Sequence, residues 1–119
     1  MEEKRRTTRR YLLYYMRIYD VSTRQQIGNL VDITPRGIMV VSDRKIEVGQ
    51  VSRLRMELTP EVSEKPFMEF SVRSRWSKPD INPHMYNTGF EILELPPEDA
   101  QIILRIVDEF GFRDNKPII

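Results

Sequence analysis

Hydrophobic and polar residues alternate through much of the chain after its first ten positions. Leu12, Tyr14, Met16 and Ile18 fall on one side of an extended segment, with Leu13, Tyr15, Arg17 and Tyr19 on the other, which predicts a long first strand with one apolar face. Residues 26–33 ("QIGNLVDI") and 37–42 ("GIMVVS") predict two further strands rich in β-branched residues, joined by the turn-forming "DITPRG". Three more are expected at about 50–58, 67–77 and 86–94, with Pro60 to Pro66 and Pro79 to Pro83 marking the loops between them. The last element changes period. Prolines and acids suited to a helix start precede "AQIILRIVDEF", and Gly111 follows where a helix can end, so a helix is predicted at about 97–110. On its wheel Ile103, Leu104, Ile106, Val107 and Phe110 share the apolar side, and Gln101, Arg105, Asp108 and Glu109 the polar one. Six strands in succession followed by one amphipathic helix imply a mainly β domain. Its expected form is an antiparallel barrel, whose closure removes exposed strand edges, with the helix packed against it.

Length fits this picture, because 119 residues can bury one modest core and not two. No apolar run approaches the roughly 18 residues of a membrane span, and the basic N-terminus leads into an alternating pattern instead of a continuous apolar segment. Neither a membrane anchor nor a signal peptide is expected, and the cytoplasm is the expected compartment. With no cysteine and His84 as the single histidine, disulfides, thiolate chemistry, zinc centres and histidine-based triads lack their parts. Glu57, Glu69 and Glu91 sit in strand patterns without a histidine, cysteine or glycine-rich loop nearby and read as solvated or ion-paired positions. "DINPH" at Asp80 to His84 spaces three potential ligands evenly, but one histidine among prolines is a weak metal signal. No enzyme activity, cofactor or metal is expected.

The formal charge of +1 conceals a gradient. Residues 1–24 carry seven basic against three acidic residues, a local +4, and residues 91–119 carry three basic against seven acidic, a local −4. Such a distribution favours a small anion site over a surface basic throughout. Arg5, Arg6, Arg9 and Arg10 form two adjacent pairs four residues apart. An extended arm lets them reach around one ligand, and a helical one puts Arg5 and Arg9 on the same face. The planar guanidinium can grip a phosphate or the Hoogsteen edge of guanine bidentately and can stack on a base. Taken alone, the cluster equally suits a solvated basic tail. In the turn, Asp32 offers a carboxylate and Thr34 a hydroxyl, both pointing to one side if the strand is still extended there. Pro35 fixes the turn, and Gly37 permits a backbone conformation closed to other residues.

Together the two motifs resemble the signature of PilZ domains, an RxxxR arm before the first strand and D/NxSxxG about twenty residues later between the second and third strands. Here the first half reads Arg5-Arg6-Thr7-Thr8-Arg9 or, shifted by one, Arg6 to Arg10, and the second Asp32-Ile33-Thr34-Pro35-Arg36-Gly37. The resemblance implies a PilZ-type six-stranded antiparallel β-barrel with a C-terminal α-helix. It also implies a bacterial receptor for the second messenger cyclic di-GMP, with residues 1–10 as the arm, 11–111 as the barrel domain and 112–119 as a loose tail. Carried across, Arg5 and Arg9 contact guanine edges and phosphates, with Arg6 and Arg10 as supporting or alternative contacts. Asp32 accepts from a guanine Watson–Crick edge or braces an arginine, Thr34 supplies a hydroxyl where the family more often has serine, and Gly37 lets the backbone come close. Trp76 is either a stacking surface for a guanine or a barrel-side aromatic.

Two other readings stand beside the receptor. Tyr11, Tyr14, Tyr15 and Tyr19 lie near basic residues, as in a small barrel that binds single-stranded nucleic acid, although the acidic C-terminal third counts against such a partner. The other is an adaptor of the same fold without nucleotide binding, acting through protein contacts alone. The resemblance further implies a downstream protein partner and a monomer or weak dimer, with the ligand bound singly or as an intercalated pair.

Overall fold

The computed structural model describes residue 13, residues 16–110 and residues 118–119. Six strands follow one another: β1 (Arg17–Asp20), β2 (Gln26–Thr34), β3 (Gly37–Ser42), β4 (Val51–Glu57), β5 (Phe67–Pro79) and β6 (Tyr86–Glu94), and a helix α1 (Pro97–Phe110) completes the chain of elements. They close into a barrel in the order β1-β2-β3-β6-β5-β4, every neighbouring pair antiparallel. Five strands lie within a residue or two of their expected limits, and of these β3 and β6 coincide with them.

The first strand differs. It begins at Arg17, not near residue 12, because the Met16 amide donates to the Leu13 carbonyl at 2.9 Å and closes a helical turn ahead of it. Leu13 and Met16, three apart, are then both fully buried, as is Ile18 two further on. The run of alternating residues thus mixes the helical and the extended period, and Leu13 belongs to the core.

Inside the barrel Met16, Ile18, Leu30, Ile33, Ile38, Val40, Leu54, Met56, Met68, Phe70, Val72 and Phe90 form one apolar cluster, and Ile103 and Ile106 of α1 join it. Leu104 is a correction: it faces out, and Ile102 packs on the core in its place. Asp99, in the first turn of α1, is buried and accepts from Lys65 Nζ at 2.6 Å, tying the helix start to the β4–β5 connection. A carboxylate near a helix N-terminus also meets the positive end of the helix dipole.

Two β-bulges set which way key side chains point. In β2 the register shifts between Leu30 and Asp32, and in β5 between Ser74 and Trp76. Leu30 and Ser74 face inward, and simple alternation would send Asp32 and Trp76 inward as well. The extra residue at Val31 and at Arg75 reverses the phase, so Ile33 turns in and Asp32 turns out, and Trp76 turns out likewise.

The β5 bulge is held by buried hydroxyls. Ser74, 1% exposed, donates from Oγ to the Glu47 carbonyl at 2.6 Å and accepts from the Gln50 amide at 3.1 Å. Nearby, Ser77 Oγ bonds Thr88 Oγ1 at 2.9 Å and accepts from the Ile46 amide at 3.2 Å. These contacts stitch the β3–β4 connection across β5. Ser74→Ala removes two hydrogen bonds between a buried hydroxyl and the β3–β4 connection, which costs about 1–3 kcal/mol at roughly 0.5–1.5 kcal/mol each. The expected result is a lower denaturant midpoint at unchanged slope in a urea titration.

Candidate ligand-binding face

The register of the barrel brings four of the expected site residues onto one outer face. Asp32 of β2 pairs with Met39 of β3, Met39 with Gly89 of β6, and Gly89 with Trp76 of β5. One step along, Thr34 pairs with Gly37, Gly37 with Glu91, and Glu91 with Arg73. Two parallel rows therefore cross β2, β3, β6 and β5, spanning three strand spacings or roughly 14 Å. Arg5, Arg6, Arg9 and Arg10 lie outside the described residues.

The turn at one edge is locally determined. Thr34 Oγ1 accepts from the Gly37 amide at 3.1 Å and from the Arg36 amide at 3.3 Å, so this hydroxyl braces its own turn. Asp32 Oδ1 accepts from the Ile33 amide at 2.8 Å, which fixes the carboxylate on the outer side, and Asp32 has a further interaction besides. Gly37 serves otherwise than expected. Among the described glycines only Gly49 has a positive φ, so the backbone at Gly37 is open to any residue. What requires glycine is space: a Cβ there would stand 2.6 Å from the Phe90 carbonyl oxygen and 2.7 Å from Ile119 Cγ1.

Trp76 lies over the neighbouring strand. A Cβ at Gly89 would stand 2.3 Å from the indole Nε1 and 2.4 Å from Cε2, so the ring lies flat only because position 89 has no side chain. The indole N–H donates to the Ile118 carbonyl at 2.7 Å, and Lys78 Nζ stands 5.6 Å from the ring centroid, within cation–π range. Half-buried and outside the barrel, Trp76 is not a member of the core cluster. Met39, Gly89 and Arg73 are members of this face that reading the sequence did not single out. Each is visible only once the strands are aligned.

Two ion pairs join neighbouring strands, one at the face and one away from it. Arg75 pairs with Glu91 at 2.8 Å and Arg55 with Glu69 at 2.8 Å, as the strand positions of these acids suggested. A separate concavity of about 720 Å³ opens over β1, β4 and β5, lined by Tyr19, Asp20, Arg24, Arg55, Glu57 and Glu69. It shares no residue with the rows above, and its Arg55 and Glu69 already pair with each other. In "DINPH" the Asp80 carboxylate accepts from the Asn87 side-chain Nδ2 at 2.9 Å, which with backbone N–H groups holds its pKa below the ordinary value. His84 donates its backbone N–H to Asn82 Oδ1 at 3.1 Å. Among the described residues no group of three His, Cys, Asp or Glu side chains could hold a metal ion, and no helix is long and apolar enough to cross a membrane.

A small closed barrel with a packed interior and a motif-bearing outer face is the architecture defined by these elements. The chain belongs to the PilZ domain family, whose model matches residues 3–109. Among solved structures it is similar to the Bacillus subtilis inhibitor of motility, MotI/DgrA, with 20% identity and a TM-score of 0.62 over 76% of this chain. The match takes in 43% of that protein, so the chain spans less than half of its length. It is also similar to the PilZ domain, solved with c-di-GMP, of YcgR from Escherichia coli, with 11% identity and a TM-score of 0.57 over 82% of this chain and 83% of that one. At these identities the likeness is one of fold. No curated protein sequence matches the chain.

The packing of Trp76 on Gly89 is directly testable, since the chain has a single tryptophan. Gly89→Ala should lift the indole and break its bond to Ile118. The expected readout is a red-shifted Trp76 emission with the far-UV circular dichroism of the barrel retained.

Proposed function

We propose that this chain is a bacterial cytoplasmic receptor for cyclic di-GMP, in which residues 1–10 order around the ligand and pass its occupancy to a protein partner. The observation that carries the reading is the pair of rows on the outer face, Asp32-Met39-Gly89-Trp76 above Thr34-Gly37-Glu91-Arg73. They set the second family motif and an aromatic ring on the same outer face. Family membership and the arginines of the RxxxR motif support the same ligand.

Each part has a chemical role. Asp32 presents an acceptor to the N1–H and N2–H₂ donors of a guanine or braces an arginine that does so. Trp76 offers a π surface, and Lys78 beside it adds positive charge for a phosphate. Arg5 and Arg9, with Arg6 and Arg10 as the alternative pair, supply bidentate donors to phosphates and guanine edges. Micromolar affinity corresponds to about −8 kcal/mol. A bidentate arginine–guanine contact is worth roughly 1–3 kcal/mol and a stacked base roughly 1–3, so two or three of each suffice after the arm is ordered. No bond is made or broken, so the output is a changed surface.

Calorimetric titration with cyclic di-GMP tests the proposal, with GTP and cyclic di-AMP as controls. Micromolar binding with a shallow salt dependence is expected, because a ligand with two phosphates releases few counterions, whereas an extended nucleic acid gives a steep one. Arg5→Ala with Arg9→Ala, and separately Asp32→Ala, should each weaken binding tenfold or more, about 1.4 kcal/mol or above. Retained melting temperatures would place the loss in binding. Absence of heat at high micromolar ligand would remove the receptor reading.

A further inference from the structure

The proposed nucleotide face is not bare. Ile118 is only 6% exposed, and its carbonyl takes the single donor of Trp76 at 2.7 Å. Ile119 reaches over Gly37, its Cγ1 2.7 Å from where a Cβ on that glycine would stand. Gly37 and Trp76 are on β3 and β5, with β6 between them and one row apart, so two strand spacings and two residues of rise separate them, roughly 12 Å. An extended dipeptide with its side chains covers that distance. Ile118 and Ile119 therefore lie across β6, over the strip where Phe90 offers its backbone carbonyl toward Gly37.

From this geometry we infer that Ile118–Ile119 is a built-in competitor for the nucleotide face, docked in the free protein and expelled when ligand binds. The inference rests on the receptor reading given above. Both features that suit the face to a guanine are the ones the dipeptide uses. Close backbone approach at Gly37 requires the volume filled by Ile119, and a base against Trp76 requires the space in which Ile118 meets the indole. A nucleotide using either feature cannot share it with the dipeptide. Occupancy of the closed form lowers the apparent affinity in proportion to the fraction of molecules left open, so a latch closed nine-tenths of the time weakens binding about tenfold. The docked residues are apolar and their anchor is one hydrogen bond, which suits a contact that must be reversible. Ile119, at 40% exposed, is held less completely than Ile118.

The test compares the full chain with a double variant, Ile118→Ser with Ile119→Ser, and with the milder Ile119→Ala, after thermal melts establish that all three are folded. Without ligand, the double variant should show a red-shifted Trp76 emission. An unchanged spectrum would overturn the docking. Titrated with cyclic di-GMP, the double variant should bind about tenfold more tightly than the parent chain, equivalent to about 1.4 kcal/mol, and Ile119→Ala should gain less in the same direction. Equal or weaker binding by the double variant would overturn the competition and leave the receptor reading standing. No heat from any of the three would remove the receptor reading, and the competition with it.

Discussion

Strict alternation in a barrel strand makes every second residue a core residue, and the candidate face depends on breaking that rule at two places. Leu30 and Asp32, and likewise Ser74 and Trp76, are two apart and would share a face in an unbroken strand. At Val31 and Arg75 a bulge inserts one residue and reverses the phase. Without the first, a carboxylate would be driven into an apolar barrel at a cost no partner there could offset. Without the second, an indole would compete with Phe70 and Phe90 for a filled interior. The two bulges sit on β2 and β5, the outer strands of the four that build the candidate face, so they aim the two ends of a single row.

The middle of the face is made by what is missing. Gly37 and Gly89 lie on adjacent strands, and each removes a side chain that would obstruct a neighbour, the Phe90 carbonyl in one case and the Trp76 ring in the other. Trp76 can then lie down on β6 where it would otherwise stand up into solvent. Ser74 secures the geometry from inside, because its hydroxyl pins the β3–β4 connection to the bulge that turns the next residues outward. The core, the bulge and the outer face are thus coupled through one buried serine.

The residues themselves announced most of the fold and only part of the face. β3 and β6 were legible because apolar, β-branched and turn residues there agree with a single period. β1 was not, because Leu13 and Met16 follow a helical spacing inside what reads as alternation, and the backbone bond that separates the two regimes leaves no mark on composition. Leu104 and Ile102 exchange roles because an apolar arc on a wheel is broader than the stripe the barrel end can cover. The motif led to Asp32, Thr34 and Gly37, yet the reason for Gly37 is a close approach from β6, a non-local fact. Met39 and Gly89 could be found only from register, which the two bulges shift.

A six-stranded barrel of this size fills its own lumen, with Leu30, Ile38, Val40, Met56, Met68, Phe70 and Val72 all fully buried, so no ligand can enter it. The proposed recognition then takes place on the outside, where a sheet can cover only one side of a planar molecule. The other side has to be supplied by chain from beyond the barrel strands. Two such segments carry suitable chemistry at the two ends of the sequence, the arginines at positions 5–10 and the isoleucines at 118 and 119. One is rich in donors for an anion, and the other is apolar and already seated on Gly37 and Trp76. Under the receptor proposal, exchanging the apolar cover for a charged arm around the ligand would change the surface that a partner protein meets.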